Sequence, residues 1–277
     1  MTLSLWIWFF TLTHMRFFFL LCTYASMLAV CNHAVAVEKV AVTVLMSEEL
    51  DEKNKVVPLS PDILHLFSYL EKNSGLQFDV QRYPWLRALE NAYRGDGVIF
   101  GISKTPERQK LLSFSEPLFA DQVVLISRCD SVFPYATLAD LRGKVIGVAR
   151  GASYGNEFDQ AANTVFKVEY DTNSNAARLR KLYTRRMDAI VFYSRSVAAQ
   201  RLVAEINAIA YTTLGADQAT GKAFCVLPKP ITSVDIHFAI RADADHGVMA
   251  KLNAAILRGR SSGELTRIFS EKTGLSK

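Results

Sequence analysis

Trp85-Leu86-Arg87-Ala88-Leu89-Glu90-Asn91-Ala92-Tyr93-Arg94-Gly95-Asp96-Gly97-Val98-Ile99-Phe100-Gly101-Ile102 reads as a helix, a stop and a buried strand in one run. Leu86 and Leu89 repeat at helical spacing and are expected to face inward. Gly95 ends the helix, and Val98–Ile102 is short, apolar and rich in branched and aromatic side chains. The same rhythm lies just upstream. Val40–Met46 is a β-rich apolar run, and Ser60-Pro61 then opens a helix with Ser as N-cap and Pro in the first turn. Ile63, Leu66, Phe67 and Leu70 mark its inner face, Gly75 ends it, and Phe78–Gln81 is strand-like. Strand, helix, strand, helix, strand in this order predicts an α/β fold with parallel strands.

Beyond Val123–Ser127 the rhythm restarts. Lys144–Ala149, Phe166–Tyr170 and Ala189–Phe192 read as strands, and Tyr154–Ala162 and Asn173–Arg185 as the helices between them. Ile236–Arg241 is a further strand. Two helices finish the chain, with Leu252 and Ile256 on the inner face of the first and Leu265, Ile268 and Phe269 on that of the second. Two α/β units joined by short crossings enclose a cleft, the usual place for a small ligand. The expected division puts residues 37–120 with 228–277 in one lobe and 121–227 in the other.

The first 36 residues contain one charge, Arg16, and long apolar runs. They fit either a membrane anchor or a cleaved signal. Started at Met15, the segment has a positive residue (Arg16), an apolar core (Phe17–Val30) and an A-x-A site (Ala34-Val35-Ala36). It is read as a signal peptide with Val37 first in the mature chain. Removing residues 1–36 from the 277 leaves 241, enough for one large or two medium domains. It also takes Arg16 from the net charge of +5, leaving +4 with the basic residues scattered, which does not suggest nucleic acid. Cys22 and Cys31 leave with the signal. Cys129 and Cys225 remain, and spacing alone leaves open whether they pair or stay as two buried thiols.

The sharpest chemical feature is Gly101-Ile102-Ser103-Lys104-Thr105-Pro106-Glu107-Arg108, which begins where a buried strand ends. That rim is where open α/β sheets hold ligands. Arg108 offers a planar fork that fits a carboxylate, and the Ser103 and Thr105 hydroxyls suit the remaining lone pairs. The alternative is an ordinary loop with Arg108 paired to a surface acid. Gly151-x-Ser153-x-Gly155 has the spacing of a hydrolase nucleophile elbow, and His237 and His246 are the only later histidines. The same loop has a simpler use: backbone N–H groups at a helix start, with Ser153, can donate to an anion. The cysteines and the three mature histidines lack metal-ligand spacing, and no P-loop or dinucleotide fingerprint occurs.

Pro84-Trp85-Leu86-Arg87-Ala88-Leu89, Thr105-Pro106-Glu107-Arg108 and Phe114-Ser115-Glu116-Pro117 together resemble the bacterial extracellular solute-binding proteins of family 3, receptors that feed amino-acid ABC transporters. The likeness continues through Leu138-Ala139-Asp140-Leu141-Arg142-Gly143-Lys144-Val145-Ile146-Gly147-Val148 and Arg186-Met187-Asp188-Ala189. It implies a two-lobed α/β periplasmic binding fold of type II, with a hinge of two crossing strands at Phe119–Gln122 and around Leu227–Pro230. It places Arg108 on the ligand α-carboxylate, with Ser103 beside it. Trp85 lies against the ligand or, alternatively, in the core, and Asp96 is structural. Gly151, Ala152 and Ser153 close over the carboxylate from the opposite lobe. One position departs from the pattern: Tyr193 stands where receptors for α-amino acids carry the aspartate that pairs with the ligand ammonium. Tyrosine cannot neutralise a cation. Another acid, such as Glu48 or Glu49, then takes that role, or the ligand is not a simple α-amino acid.

The resemblance implies a monomeric periplasmic receptor that closes on a small carboxylate-bearing solute and delivers it to an inner-membrane ABC permease, with no catalytic residue, cofactor or metal. An enzyme on the same fold, like the cyclohexadienyl dehydratases, and a ligand-sensing input to a membrane kinase are the alternatives.

Overall fold

The computed structural model describes residues 39–51, 53–171, 174–195 and 199–270. The expected signal peptide and its start at Met15 lie outside the described residues. No helix among the described residues is long and apolar enough to cross a membrane.

The first unit opens as its periodicity predicts. Strand β1 (Val40–Ser47) runs parallel to β2 (Leu76–Tyr83) and to β3 (Val98–Ile102), in the order β2-β1-β3. Helix α1 (Pro61–Ser74) buries Ile63, Leu66, Phe67 and Leu70 and stops at Gly75, where φ is 71°. Ser60 caps it through its carbonyl, which accepts from Ile63 and Leu64, rather than through its hydroxyl.

Helix α2 (Trp85–Arg94) corrects the sequence reading at one residue. Leu89 is buried, but Leu86 is 37 % exposed. The buried face runs through Trp85, Ala88, Leu89 and Ala92, spaced i, i+3, i+4 and i+7, and this turns position 86 outward.

After α3 (Pro106–Gln109) and β4 (Leu112–Phe114), the long strand β5 (Phe119–Arg128) carries the chain into the second unit. There β6 (Val145–Ala149), α4 (Asn156–Ala161), β7 (Lys167–Asp171), α5 (Asn175–Tyr183) and β8 (Ala189–Ser194) form a second α/β layer, with β6 parallel to both β7 and β8. A helix that the sequence reading missed follows, α6 (Ala199–Thr213). Its buried Leu202, Ile206 and Ala210 recur every fourth residue. The chain then forms β9 (Phe224–Val226), β10 (Thr232–Arg241), α7 (Val248–Ser261) and α8 (Glu264–Ser270).

Two strands belong to both units. Residues 119–123 of β5 pair antiparallel with residues 232–236 of β10. Beyond that ladder β5 continues against β8, and β10 continues against β3 and β4. The order β2-β1-β3-β10-β5-β8-β6-β7 is therefore one curled sheet with two lobes, hinged at β5 and β10. The second passage uses residues 232–236. Leu227 packs in the core of the second lobe, and the Ile231 N–H is bonded to the Val123 carbonyl.

Each lobe has a core on both faces of its sheet. In the first, Phe67, Phe78, Phe100 and Phe238 pack ring against ring over α1, α7 and α8, while Leu45, Trp85, Leu89 and Ile99 fill the other face. In the second, Val123 and Leu125 enter one core and Val124 and Ile126 the other, the period of two that a strand buried on both sides must show. Cys129 and Cys225 are joined in a disulfide, with Cα atoms 5.0 Å apart at the ends of the paired β5 and β9, which decides between the two alternatives left by spacing.

Candidate ligand-binding site

A cavity of about 280 Å³ lies at the seam of the lobes, lined by the ends of β1, β3, β6 and β8, the starts of α2 and α5, and the crossing strands. The β3 rim is shaped by a bulge. Ile102 pairs with His237 and Phe100 with Phe238, so Gly101 is the extra residue, with φ at 86°. The chain then leaves β3 through Ser103 and turns into α3. There the Thr105 hydroxyl accepts from the Arg108 backbone N–H (3.2 Å) and fixes the turn that presents the Arg108 side chain.

Arg108 is 5 % exposed. Its Nη1 donates to the Ser103 carbonyl (2.8 Å) and hydroxyl (3.1 Å), and its Nη2 donates across the cleft to the Gly151 carbonyl (3.1 Å). Trp85 Nε1 donates to that same carbonyl (2.9 Å), with the Arg108 guanidinium 6.0 Å from the indole centroid. No carboxylate among the described residues lies within ion-pair distance of Arg108. Burial accordingly draws its pKa below the ordinary arginine value. A cation held this way, bonded only to neutral oxygens, retains the field to attract an anion.

The second lobe faces it with Ala152, Ser153 and Tyr193. Gly151 contributes its carbonyl rather than an open surface. Its φ of 77° favours glycine, and a Cβ placed there would lie 3.1 Å from Leu86 Cδ1. The exposed Leu86 thus meets the opposite lobe beside Trp85, whose Nε1 donates to the same glycine. Ser153 Oγ donates to the Asp159 carboxylate, which also accepts from the Tyr154 N–H (2.9 Å). The Tyr193 hydroxyl donates to the Ser153 carbonyl, and its ring stacks on Tyr154 (centroids 5.2 Å apart). Burial raises the Tyr193 pKa well above the tyrosine norm. The elbow reading of Ser153 lacks its histidine: the Ser153 hydroxyl is bonded to Asp159, and His237 Nδ1 lies on the Ser115 carbonyl in the first lobe.

The structure brings Arg108, Ser103, Trp85, Ala152, Ser153 and Tyr193 to one cavity and gives Thr105 and Gly151 supporting positions outside its lining. Glu48 does not line it, whereas Glu49 does. Glu49 Oε1 accepts from the N–H of Asn175 at the start of α5 (2.8 Å), so this acid of the first lobe sits on a helix N-terminus of the second. Burial raises its pKa, against the bond from Asn175 and the charges of Arg178 and Arg82.

Among the further lining residues that the sequence reading did not assign to the site, two are buried and charged. Arg178 on α5 is 7 % exposed; Nη1 donates to the Val191 carbonyl (3.1 Å), Nη2 donates to Asn175 Oδ1, and Nε has no hydrogen-bond partner among the described residues. Its signal was an arginine beside Leu179 and Leu182 on the inward face of an amphipathic helix. Asp121 on β5 is the other, and burial pushes its pKa up to about 6 despite Arg195, with Asp62 adding to the rise.

A curled sheet in two lobes, joined by two strands around a cavity that holds a buried arginine from each lobe, is the architecture of a binding protein. The pattern of the bacterial extracellular solute-binding proteins, family 3, matches residues 46–272, and the chain belongs to that family. Among curated relatives, ABC transporter arginine-binding protein 1 of Escherichia coli is 38 % identical over 81 residues, covering 29 % of this chain and 32 % of the relative. The arginine-binding extracellular protein ArtP of Bacillus subtilis is 29 % identical over 134 residues, covering 46 % and 50 %. The matches thus span between a third and a half of these relatives. The fold is shared more widely. An ancestral arginine-binding protein bound to arginine superposes with a TM-score of 0.63 at 20 % identity, over 86 % of this chain and all of that one. The substrate-binding protein AbpA of Streptococcus pneumoniae, bound to L-arginine, gives 0.62 at 16 %, over 86 % and 97 %. An ancestral amino acid-binding protein, AncCDT-1, described as a precursor of cyclohexadienyl dehydratase, gives 0.62 at 17 %, over 84 % and 96 %.

Proposed function

We propose that the chain is a periplasmic receptor of an ABC-type transporter that grips a small polar solute by a carboxylate, closes about β5 and β10, and presents the closed form to an inner-membrane permease. Residues 37–120 with 228–277 form the lobe that docks the ligand, and residues 121–227 the lobe that closes over it. The receptor acts as a monomer after its signal peptide is removed, and no step requires a catalytic residue. Family membership and the binding-protein names of its relatives support this reading. The Cys129–Cys225 disulfide suits an oxidising compartment.

The observation that carries the reading is Arg108, buried at the lobe interface without a counter-ion among the described residues. A ligand carboxylate supplies the missing charge, with Ser103 beside it and the 151–153 turn opposite. Closure follows because such a ligand contacts both lobes only in the closed form. A thermal-shift screen of the mature protein with amino acids, dicarboxylates and small organic acids identifies the ligand, since binding to the folded state alone raises the melting temperature. Calorimetry with that ligand then tests the site: Arg108→Ala costs at least about 2 kcal/mol of binding. Unchanged affinity in a folded variant places the ligand elsewhere.

A further inference from the structure

Asp121 is the one acid lining the cavity that has no hydrogen bond from any described residue. It is 9 % exposed, its Oδ1 is buried without a hydrogen-bond donor, and its near neighbour is Arg195, with Nε 3.6 Å from Oδ1. Arg195 is itself shared. Its Nη1 pairs with Asp62, and its guanidinium lies 4.4 Å from the Phe119 ring centroid, so it does not saturate Asp121. Glu49, the other lining acid, already accepts from the α5 N-terminus.

The ladder explains where Asp121 points. Val123 lies directly opposite Tyr193, and Gln122 opposite Ser194. Opposed residues share a face, as do residues two apart on one strand. Asp121 and Tyr193 therefore face the same side of the sheet, on neighbouring strands. The Tyr193 hydroxyl is bonded to the Ser153 carbonyl, which leaves Asp121 as the open acceptor on that face. One cavity thus holds a buried arginine without an anion and a buried carboxylate with unfilled acceptor capacity.

We propose that Asp121 is a cation-recognising residue of the binding site, receiving a positively charged nitrogen of the same ligand whose carboxylate lies on Arg108. This rests on the Arg108 reading and adds to it a specificity determinant on the hinge strand. A carboxylate offers about four lone-pair sites, so the ligand's amine, as an ammonium, can bond Asp121 without displacing Arg195.

The test uses the mature protein and calorimetry with the twenty L-amino acids, each paired with its 2-hydroxy acid, which keeps the carboxylate and lacks the amine. The wild type prefers an amine-bearing member. Asp121→Asn, of nearly the same shape, loses that preference by a factor on the order of 30, while Asp121→Glu keeps the charge and most of the preference. A melting temperature for each variant confirms folding. The inference is overturned if Asp121→Asn binds amine and hydroxy forms in the wild-type ratio, if the wild type favours the hydroxy acids, or if no member of the panel binds. Arg108→Ala separates the two claims. Loss of both ligand types in that variant with an unchanged ratio in Asp121→Asn leaves the carboxylate reading standing and removes this one. Retained binding in Arg108→Ala removes the carboxylate reading.

Discussion

Asp121 sets a burial cost against a binding role, and the two separate with pH. Its pKa in the folded protein, about 6, lies above the ordinary 3.8, so the folded state holds the proton more tightly than the unfolded chain does. Stability from this group is therefore greatest at low pH and is lost as pH rises through about 6. The charged carboxylate, flanked by Arg195 and Asp62, costs up to about 3 kcal/mol at pH 8, from a shift of roughly two units at 1.36 kcal/mol each. Asp121→Asn removes that dependence. In urea unfolding the wild type is expected to gain on the variant as pH falls from about 6 towards 3.8, with little change between about 8 and 7. Parallel pH profiles for the two proteins would show that Asp121 titrates as it does in a peptide.

At the scale of elements, the turn after β6 is the most constrained contact between the lobes. A Cβ on Gly151 meets two obstacles: the left-handed backbone, at about 1 to 2 kcal/mol, and Leu86 on α2. The first persists whatever the lobes do, whereas the second depends on the contact between them and is lost on opening in the proposed hinge motion. Gly151→Ala is expected to weaken ligand binding about tenfold and to lower the melting temperature by a few degrees. Adding Leu86→Ala recovers part of the affinity but none of the backbone strain. If calorimetry gives the same affinity with and without Leu86→Ala, α2 and this turn do not meet in the ligand-bound form. The same pair shows what the sequence could and could not disclose. Continuous apolar runs placed β1 and β3 because both of their faces are buried, and periodicity placed α1 correctly because it buries one repeating face. On α2 it chose Leu86 over Trp85, since residue type favoured a leucine inside while the true stripe began one residue earlier. Helix α6 was legible in the spacing of Leu202, Ile206 and Ala210 and was overlooked. Arg108 could be read because its loop is contiguous with β3. Glu49 was one of two acids the sequence offered, and Arg178 had a signal on the inward face of α5, but Asp121 reaches the cavity through strand register alone, which no local pattern encodes.

The whole molecule is asymmetric in how its chain is used. The first lobe is assembled from two separated stretches and closed by β10, whereas nearly all of the second lobe falls between Cys129 and Cys225, which are 96 residues apart. The disulfide therefore ties off one lobe. In the chain-entropy account, a loop of this length contributes about 4 to 5 kcal/mol by restricting the unfolded state. That contribution belongs to the second lobe, because with it unfolded the first lobe only carries a longer loop between β5 and β10, and loop-closure cost grows slowly with length. Replacing both cysteines by serine is thus expected to split unfolding in two. Hydrogen exchange under increasing urea should show the amides of β6, β7 and β8 opening before those of β1, β2 and β3, and denaturation followed by circular dichroism should become biphasic. The oxidised protein, with its second lobe held, should unfold closer to a single transition. A serine variant that unfolds in one step with the wild-type midpoint would mean that the two lobes stabilise each other through β5 and β10 more strongly than the disulfide stabilises either.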